Sequence, residues 1–249
     1  MRSPGPDEPS HDGPPLTEGA SRSELDRVRR VYRAYDDHPR YRRLWGDGPG
    51  HRFILDRKWD LIARSLTRVG LDPRGARVLD LGCGDRGDSS RFRSLGAPAS
   101  GIVALDLSPV YATRTRDSNP GTRALAGNAA SLPFRDGAFD IVYQSTLLSS
   151  LLDPALRRAV LVEAARVLDR GGVFLSYDVR YRNPWNPHTR PVRSVDLRGA
   201  FAGWSLTTST ATGIPQLIRR LAPLSIGACR LIETIPLLRT HLVVAARKP

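Results

Sequence analysis

Lysine is almost missing from this 249-residue sequence: only Lys58 and Lys248 occur, so 36 of its 38 basic side chains are arginine. The formal net charge is +13, a balance that raises nucleic acid as a partner. The arginines are spread along the whole chain and gather in no stripe, and arginine in place of lysine is what a GC-rich genome produces. Nucleic acid is therefore not the expected partner. Cysteine is as scarce: Cys83 and Cys229 cannot build a disulfide framework. No apolar run approaches the roughly 20 residues that span a bilayer, and residues 1–8 lack the apolar segment of a secretory signal. No membrane is expected, and a reducing cytoplasm is the simplest location. No residue cluster suggests a metal site, and no internal repeat is visible.

What is present reads as one core with extensions. Residues 1–20, rich in Pro, Gly, Ser and acids, have no apolar period and read as a disordered tail. Residues 21–70 read as a helical cover. Leu25, Val28, Val31, Tyr32 and Tyr35 fall at helical spacing, with Arg27, Arg29, Arg30 and Arg33 expected as a solvated basic face. A loop from His38 to Gly50 carries Tyr41, Arg42 and Trp45. A second helix, from about Phe53 to Val69, has Phe53, Ile54, Trp59, Ile62 and Leu66 on its apolar side.

Residues 71–249 then alternate short apolar runs with helical stretches. Strands are expected at 77–81, 101–106, 122–126, 139–144 and 173–178. Helices are expected at 89–95, 108–116 and 153–170, the last capped by Asp153, opened by Pro154 and closed by Gly171 and Gly172. This order implies an α/β fold, a doubly wound and mostly parallel sheet with helices on both faces. Beyond it, 194–201 and 214–228 read as helices and 204–210 and 241–246 as strands, the last of them antiparallel.

Ligands of such sheets bind at the carboxyl ends of the strands. The first strand runs Val78-Leu79-Asp80-Leu81 into Gly82-Cys83-Gly84-Asp85-Arg86-Gly87. Glycines let the backbone pass close to a ligand, and Gly82, Gly84 and Gly87 match the dinucleotide fingerprint. Asp80 argues against that ligand, because it would set a carboxylate beside a pyrophosphate. A ligand bearing an ammonium group is favoured there instead.

The ordered set of motifs resembles the class I S-adenosylmethionine-dependent methyltransferases. These are Val78 to Gly84, Asp106 ending the second strand, Gly127-Asn128-Ala129, Leu132-Pro133-Phe134 with Gly137 and Phe139 to Val142, and Ala165 to Leu168 with Gly171-Gly172. The resemblance spans about residues 77–178 and implies a Rossmann-like sheet and S-adenosyl-L-methionine as cofactor. It implies that Asp80, Gly82, Cys83, Gly84 and Leu107 hold the cofactor, and that Asp106 holds its ribose hydroxyls. Asn128 with Ala129 would meet the adenine, with Asn in place of the usual Asp, and Gln144 and Ser145 would lie against the cofactor through their backbone. Arg86 stands where a third glycine is usual, which leaves Gly87 to complete the turn or Arg86 to pair with the cofactor carboxylate. A Glu-His pair common in relatives is replaced by Ser149-Ser150.

Methyl transfer depends mostly on alignment and exclusion of water, so a diagnostic base is not required. Two candidates for one are Asp178, at the tip of the fifth strand, and His188, in the loop Arg180 to His188. That loop, with the N-terminal helices, is expected to cover the acceptor. Asn183-Pro184-Trp185 follows the wrong strand and lacks the second proline for the motif of DNA amino-methyltransferases. The runs 181–187 and 236–241 resemble a bacterial subgroup associated with polysaccharide or natural-product biosynthesis. The expectation is a methyltransferase for a small-molecule acceptor, acting at oxygen. A nucleic-acid (RNA) methyltransferase and a non-catalytic S-adenosylmethionine-binding protein are the alternatives.

Overall fold

The computed structural model describes residues 18–38, 48–183 and 186–249. The expected disordered tail, apart from its last residues, the 39–47 loop with Tyr41, Arg42 and Trp45, and the pair Pro184-Trp185 lie outside the described residues. Seven strands form one sheet: β1 (Val78–Leu81), β2 (Ile102–Asp106), β3 (Arg123–Ala126), β4 (Phe139–Ser145), β5 (Leu168–Val179), β6 (Ser205–Gly213) and β7 (Arg239–Arg247). Their order is β3-β2-β1-β4-β5-β7-β6. β1 to β5 pair parallel, and β7 runs antiparallel to both β5 and β6. The order reverses between β1 and β4, so the crevice at their carboxyl ends is the topological switch point where open sheets bind ligands.

Strand side chains alternate between two buried layers, as the two-residue period requires. Leu79, Leu81, Val142 and Phe174 face one core, whereas Val78, Ile141, Tyr143, Val173 and Tyr177 face the other. Asp80 falls on the second face, opposite Tyr143 in the register. That face is covered by α2 (Pro49–Arg68) and α3 (Ser89–Ser94), with Trp59, Ile62, Leu66 and Phe92 packed into it. Against the first face lie α5 (Leu147–Ser150), α6 (Pro154–Val167) and α7 (Ser194–Ala200), with α1 (Glu18–Asp37) beyond them. α4 (Pro109–Ser118) packs beside β2 and β3. Asp153 accepts from the Ala155 N–H and Pro154 opens α6, as the sequence predicts.

Several boundaries differ from expectation, among them the start of α1 at Glu18 inside the expected tail, and two of the differences have a plain physical cause. The helix expected over 153–170 stops at Val167, because Leu168 already pairs with Phe139 and starts β5. The helix expected over 214–228 is two: α8 (Pro215–Leu221) and α9 (Ile226–Thr234). Pro223 between them has no N–H to continue a helix. No helix of the described residues is long and apolar enough to cross a membrane.

α1 is fastened by polar clamps and not by apolar contact alone. Buried Glu24 accepts from the Leu152 and Asp153 N–H groups and pairs with Arg27, which also donates to the Ser150 carbonyl. Arg27 is thus no part of a solvated face. Burial raises the Glu24 pKa, but the Arg27 and backbone donors more than offset it and leave it below its ordinary value. A carboxylate with a depressed pKa stabilises above its unfolded value near 4.3 and loses that contribution as pH falls through the folded value. Glu24→Ala should therefore cost about 2 kcal/mol in urea denaturation near neutral pH. Hydrogen exchange should quicken in α1 and leave β1 and β4 protected. Unchanged protection of α1 would remove the clamp from this account.

Candidate cofactor and acceptor site

The carboxyl ends of β1, β2 and β4 open into a cavity of about 1150 Å³. The turn after β1 works because three glycines adopt left-handed backbone: φ is +73° at Gly82, +66° at Gly84 and +62° at Gly87. Gly87 does complete the turn. A Cβ there would lie 2.8 Å from the Thr115 side chain and 3.2 Å from an Asp80 carboxylate oxygen. The Gly82 and Cys83 N–H groups donate to the Leu105 carbonyl, binding the turn to β2.

Asp106 ends β2 with its two carboxylate oxygens accepting from the Gly84 N–H (2.9 Å) and the Ser108 N–H (2.8 Å). It thereby ties both turns together, while burial raises its pKa. Asn128 accepts the Ala130 N–H at 3.0 Å through its side-chain oxygen, which keeps a second lone pair. Cys83 lines the cavity, and burial pushes its thiol well above the ordinary range, so it stays protonated.

Beneath this turn is a buried charge cluster absent from the sequence reading. Asp80 is 2% exposed and accepts the Asp88 N–H at 2.8 Å. The Asp88 carboxylate accepts from Lys58 Nζ (2.7 Å) and the Tyr143 hydroxyl (2.7 Å). Lys58, 4% exposed, also donates to Ser145 Oγ at the tip of β4 and lies within 6 Å of the Trp59, Tyr143 and Tyr177 ring centres. Burial first, and the Asp88 charge second, push the Asp80 pKa up to about 7. Burial also raises Asp88, but the Lys58 ammonium outweighs it and holds that carboxyl below its usual value.

Of the residues expected to hold cofactor, Asp80, Gly82, Cys83, Gly84, Asp106, Leu107, Asn128, Ala129 and Ser145 all line the cavity. Gln144 does not. Its side chain points to the other face, donating to Ser176 Oγ and accepting from the Leu147 and Leu148 N–H groups. Asp178 is fully buried outside the cavity lining, where it accepts from the Ser149 and Val179 N–H groups, and burial raises its pKa to about 6. Both side chains fasten the turn that carries Thr146, a cavity-lining residue held at φ +59°. A non-glycine residue persists there only where its surroundings enforce it.

His188 is exposed and lines a separate small cleft with Arg27, Tyr32, Tyr35 and Ser150. The chain after β5 runs outside α5, with the Arg190 N–H on the Ser149 carbonyl. The histidine that does line the large cavity is His51.

The far half of the cavity is apolar. Leu25 and Val28 of α1 face Leu147, Leu151, Leu156 and Val160. Tyr32 and Tyr111 mark the boundary with the acidic half. The Tyr32 hydroxyl meets Ser150 Oγ at 2.7 Å, and burial pushes its pKa up to about 12. The Tyr111 hydroxyl donates to Asp36 at 2.8 Å. Lys58 had a readable signal: it sits four residues from both Ile54 and Ile62, inside the apolar stripe of α2. His51 and Asp36 had none.

Residues 79–176 match the family model described as a methyltransferase domain. A Synechocystis protein described as an uncharacterized methyltransferase is 32% identical over 120 residues, covering 48% of this chain and 54% of that one. A fatty-acid O-methyltransferase of Mycolicibacterium smegmatis is 38% identical over 118 residues, covering 47% of this chain and 42% of its own length. The chain thus spans about half the length of the curated relatives it matches. Among solved structures, the Burkholderia thailandensis 1,6-didemethyltoxoflavin-N1-methyltransferase, with 1,6-didemethyltoxoflavin and S-adenosylhomocysteine bound, superposes with a TM-score of 0.60. That match covers 95% of this chain and 92% of the other at 20% identity, a likeness of fold.

The cluster makes a pH-dependent prediction. A carboxyl whose folded pKa is raised contributes stability that is complete below its unfolded value near 3.9 and lost as pH rises through the folded value. Asp80→Asn should therefore melt at a higher temperature than the parent at pH 8, with the difference shrinking as pH falls below about 7 and vanishing only below about pH 4. A variant less stable than the parent at pH 8 would mean that Asp80 is not held against its charge.

Proposed function

We propose, for a chain whose residues 79–176 form a class I S-adenosylmethionine-dependent methyltransferase domain, that it transfers the methyl group of S-adenosyl-L-methionine to an oxygen of a small molecule with an apolar body. One observation carries this reading: a single cavity joins the acid-tipped ends of β1 and β2 to an apolar chamber beneath α1. Ligand pockets commonly measure about 300–1,000 Å³, so about 1150 Å³ leaves room for a second reactant beside a cofactor.

The residues suit that cofactor. Two carboxylates against one lysine leave an excess negative charge at Asp80 and Asp88, which an ammonium group would balance. Asp106 lines the cavity with lone pairs left over from its two backbone donors and would take the ribose hydroxyls. Asn128 would take the adenine amino group through its remaining lone pair. When bound, the cofactor supplies a methyl group on a sulfonium, ready for in-line displacement.

The protein's part is then placement. α1, clamped by Glu24 and Arg27, roofs the chamber and would shield the reacting groups from water. Leu25, Val28, Leu151 and Val160 would hold the acceptor's apolar body. Tyr32 keeps its proton and donates it to Ser150 Oγ, since the Ser150 hydroxyl itself donates to the Thr146 carbonyl, which leaves the Tyr32 oxygen to accept from an acceptor hydroxyl. Where the acceptor is a hydroxyl, His51 is the lining imidazole that would accept its proton. The apolar chamber supports a natural product over a free saccharide. The fatty-acid acceptor named for the Mycolicibacterium relative is of the same character. The arginines support no nucleic-acid track, since Arg29, Arg77, Arg114 and Arg166 are among those paired with acids.

Asp106→Ala should weaken S-adenosylmethionine binding by about ten-fold or more in titration calorimetry, the worth of hydrogen bonds to a charged group. Unchanged affinity would displace Asp106 from the site. His51→Asn should leave that affinity intact and lower turnover of a hydroxyl acceptor. Incubating extract fractions with methyl-labelled cofactor should label an apolar small molecule and release S-adenosylhomocysteine. Label on RNA would favour the nucleic-acid reading, and binding without release would make this a cofactor-binding protein.

A further inference from the structure

The chain's exposed apolar side chains are concentrated in one place. Among the described residues, ten large hydrophobic side chains are exposed, and six of them lie within 217–237: Leu217, Leu224, Ile226, Leu231, Ile235 and Leu237. Leu224, Leu231 and Leu237 are 83%, 67% and 79% exposed. They sit before, in the middle of and after α9, whose other side is closed by Cys229, Ile232 and Glu233. Side chains that project this far make an exposed apolar surface, and apolar patches of this kind mark contact sites.

Within residues 214–240 the exposed charge has one sign, and the exposed carboxylate of Asp60 on α2 lies beyond Arg57. The acid in residues 214–240 is Glu233, which is 7% exposed and held by Arg57 at 2.7 Å. Arg220 and Arg230 are exposed beside the leucines. Arg180 reaches the Pro236 carbonyl and lies over the exposed Tyr181 ring, with Arg182 following. Projecting leucines ringed by arginine, with no exposed acid in these segments, complement a surface that is apolar within and anionic at its rim.

We propose that this face docks the protein onto the surface of an anionic lipid bilayer. The leucines would enter the headgroup boundary and the arginines would meet lipid phosphates, and the apolar and electrostatic contributions would add. No helix of the described residues could span the bilayer, so the protein would lie on it. The placement matters for the cavity. A Cβ on Gly50 would fall 2.5 Å from the Arg219 backbone, so α8 lies directly against the start of α2, where the neighbouring His51 and Leu55 line the cavity. Docking would bring the cavity's edge toward lipid, from which an apolar acceptor could enter. The inference does not depend on the methyl-transfer reading.

Sedimentation of the full chain with vesicles tests it. The protein should pellet with phosphatidylcholine–phosphatidylglycerol vesicles at low salt, remain in the supernatant with phosphatidylcholine alone, and be released by high salt. The triple variant Leu224→Ser, Leu231→Ser, Leu237→Ser should stay in the supernatant while keeping the parent's melting temperature and cofactor affinity. Arg220→Gln with Arg230→Gln should lower the vesicle partition roughly thirty-fold. No pelleting with anionic vesicles overturns the proposal. So does equal pelleting of the triple variant, which would assign binding to the general positive charge. A parent dimer that the triple variant dissolves, without vesicle binding, would show that a second copy covers the face.

Discussion

Lys58 holds two carboxylates beneath the turn that opens the cavity, and much of the site's geometry follows from that. A buried carboxylate pair without a counter-charge would take up a proton or force its loop apart. The ammonium of Lys58 bonds Asp88 and Ser145 together, so one side chain from α2 fixes the β1 turn against the tip of β4. Asp88 then holds Asp80 in place through its own N–H, and Tyr143 closes the cluster from the sheet. The arrangement stores unfavourable charge at Asp80, which is a cost in the free protein and an attraction for a cationic ligand.

The second constraint is the roof. α1 contributes Leu25, Val28 and Tyr32 to the chamber, yet it reaches them through the polar clamps of Glu24 and Arg27 on the segment Ser150–Asp153. That segment is itself set by Gln144 and Asp178, which accept the N–H groups of Leu147, Leu148 and Ser149. The side chains of both residues thus brace the turn that carries Thr146. Electrostatics organises the strand tips, and apolar packing shapes the space beyond them. The same division recurs on the outside of α9, where leucine projects and arginine surrounds it.

The strands and most helices were legible because each carries its own period or cap: Asp153 with Pro154, Ser108 with Pro109, and the apolar runs of β1, β2 and β4. Where local signals competed, the reading slipped. Leu168 continued an apolar helical pattern but is claimed by pairing with Phe139, and Pro223 divided a stretch that otherwise read as one helix. The acid-tipped half of the cavity was legible for a related reason. Asp80 and Asp106 sit near or at the ends of β1 and β2, and Gly82, Gly84 and Asn128 in the short turns that follow their strands, so spacing along the chain nearly equals spacing in the fold.

The apolar half of the cavity was not legible in that way. His188 lies nine residues beyond β5, yet α5 and α1 stand between it and the cavity, while His51 reaches the cavity from more than a hundred residues earlier. The sequence by itself determined the doubly wound sheet, the glycine turn and the acids at the strand tips, because these depend on local backbone freedom and on alternation within a few residues. Only the tertiary structure decided which lysine balances those acids, which helix closes the chamber and which histidine faces it. Those choices arise where α1 and α2 pack back across the sheet, and no local pattern in the chain encodes the distance between them.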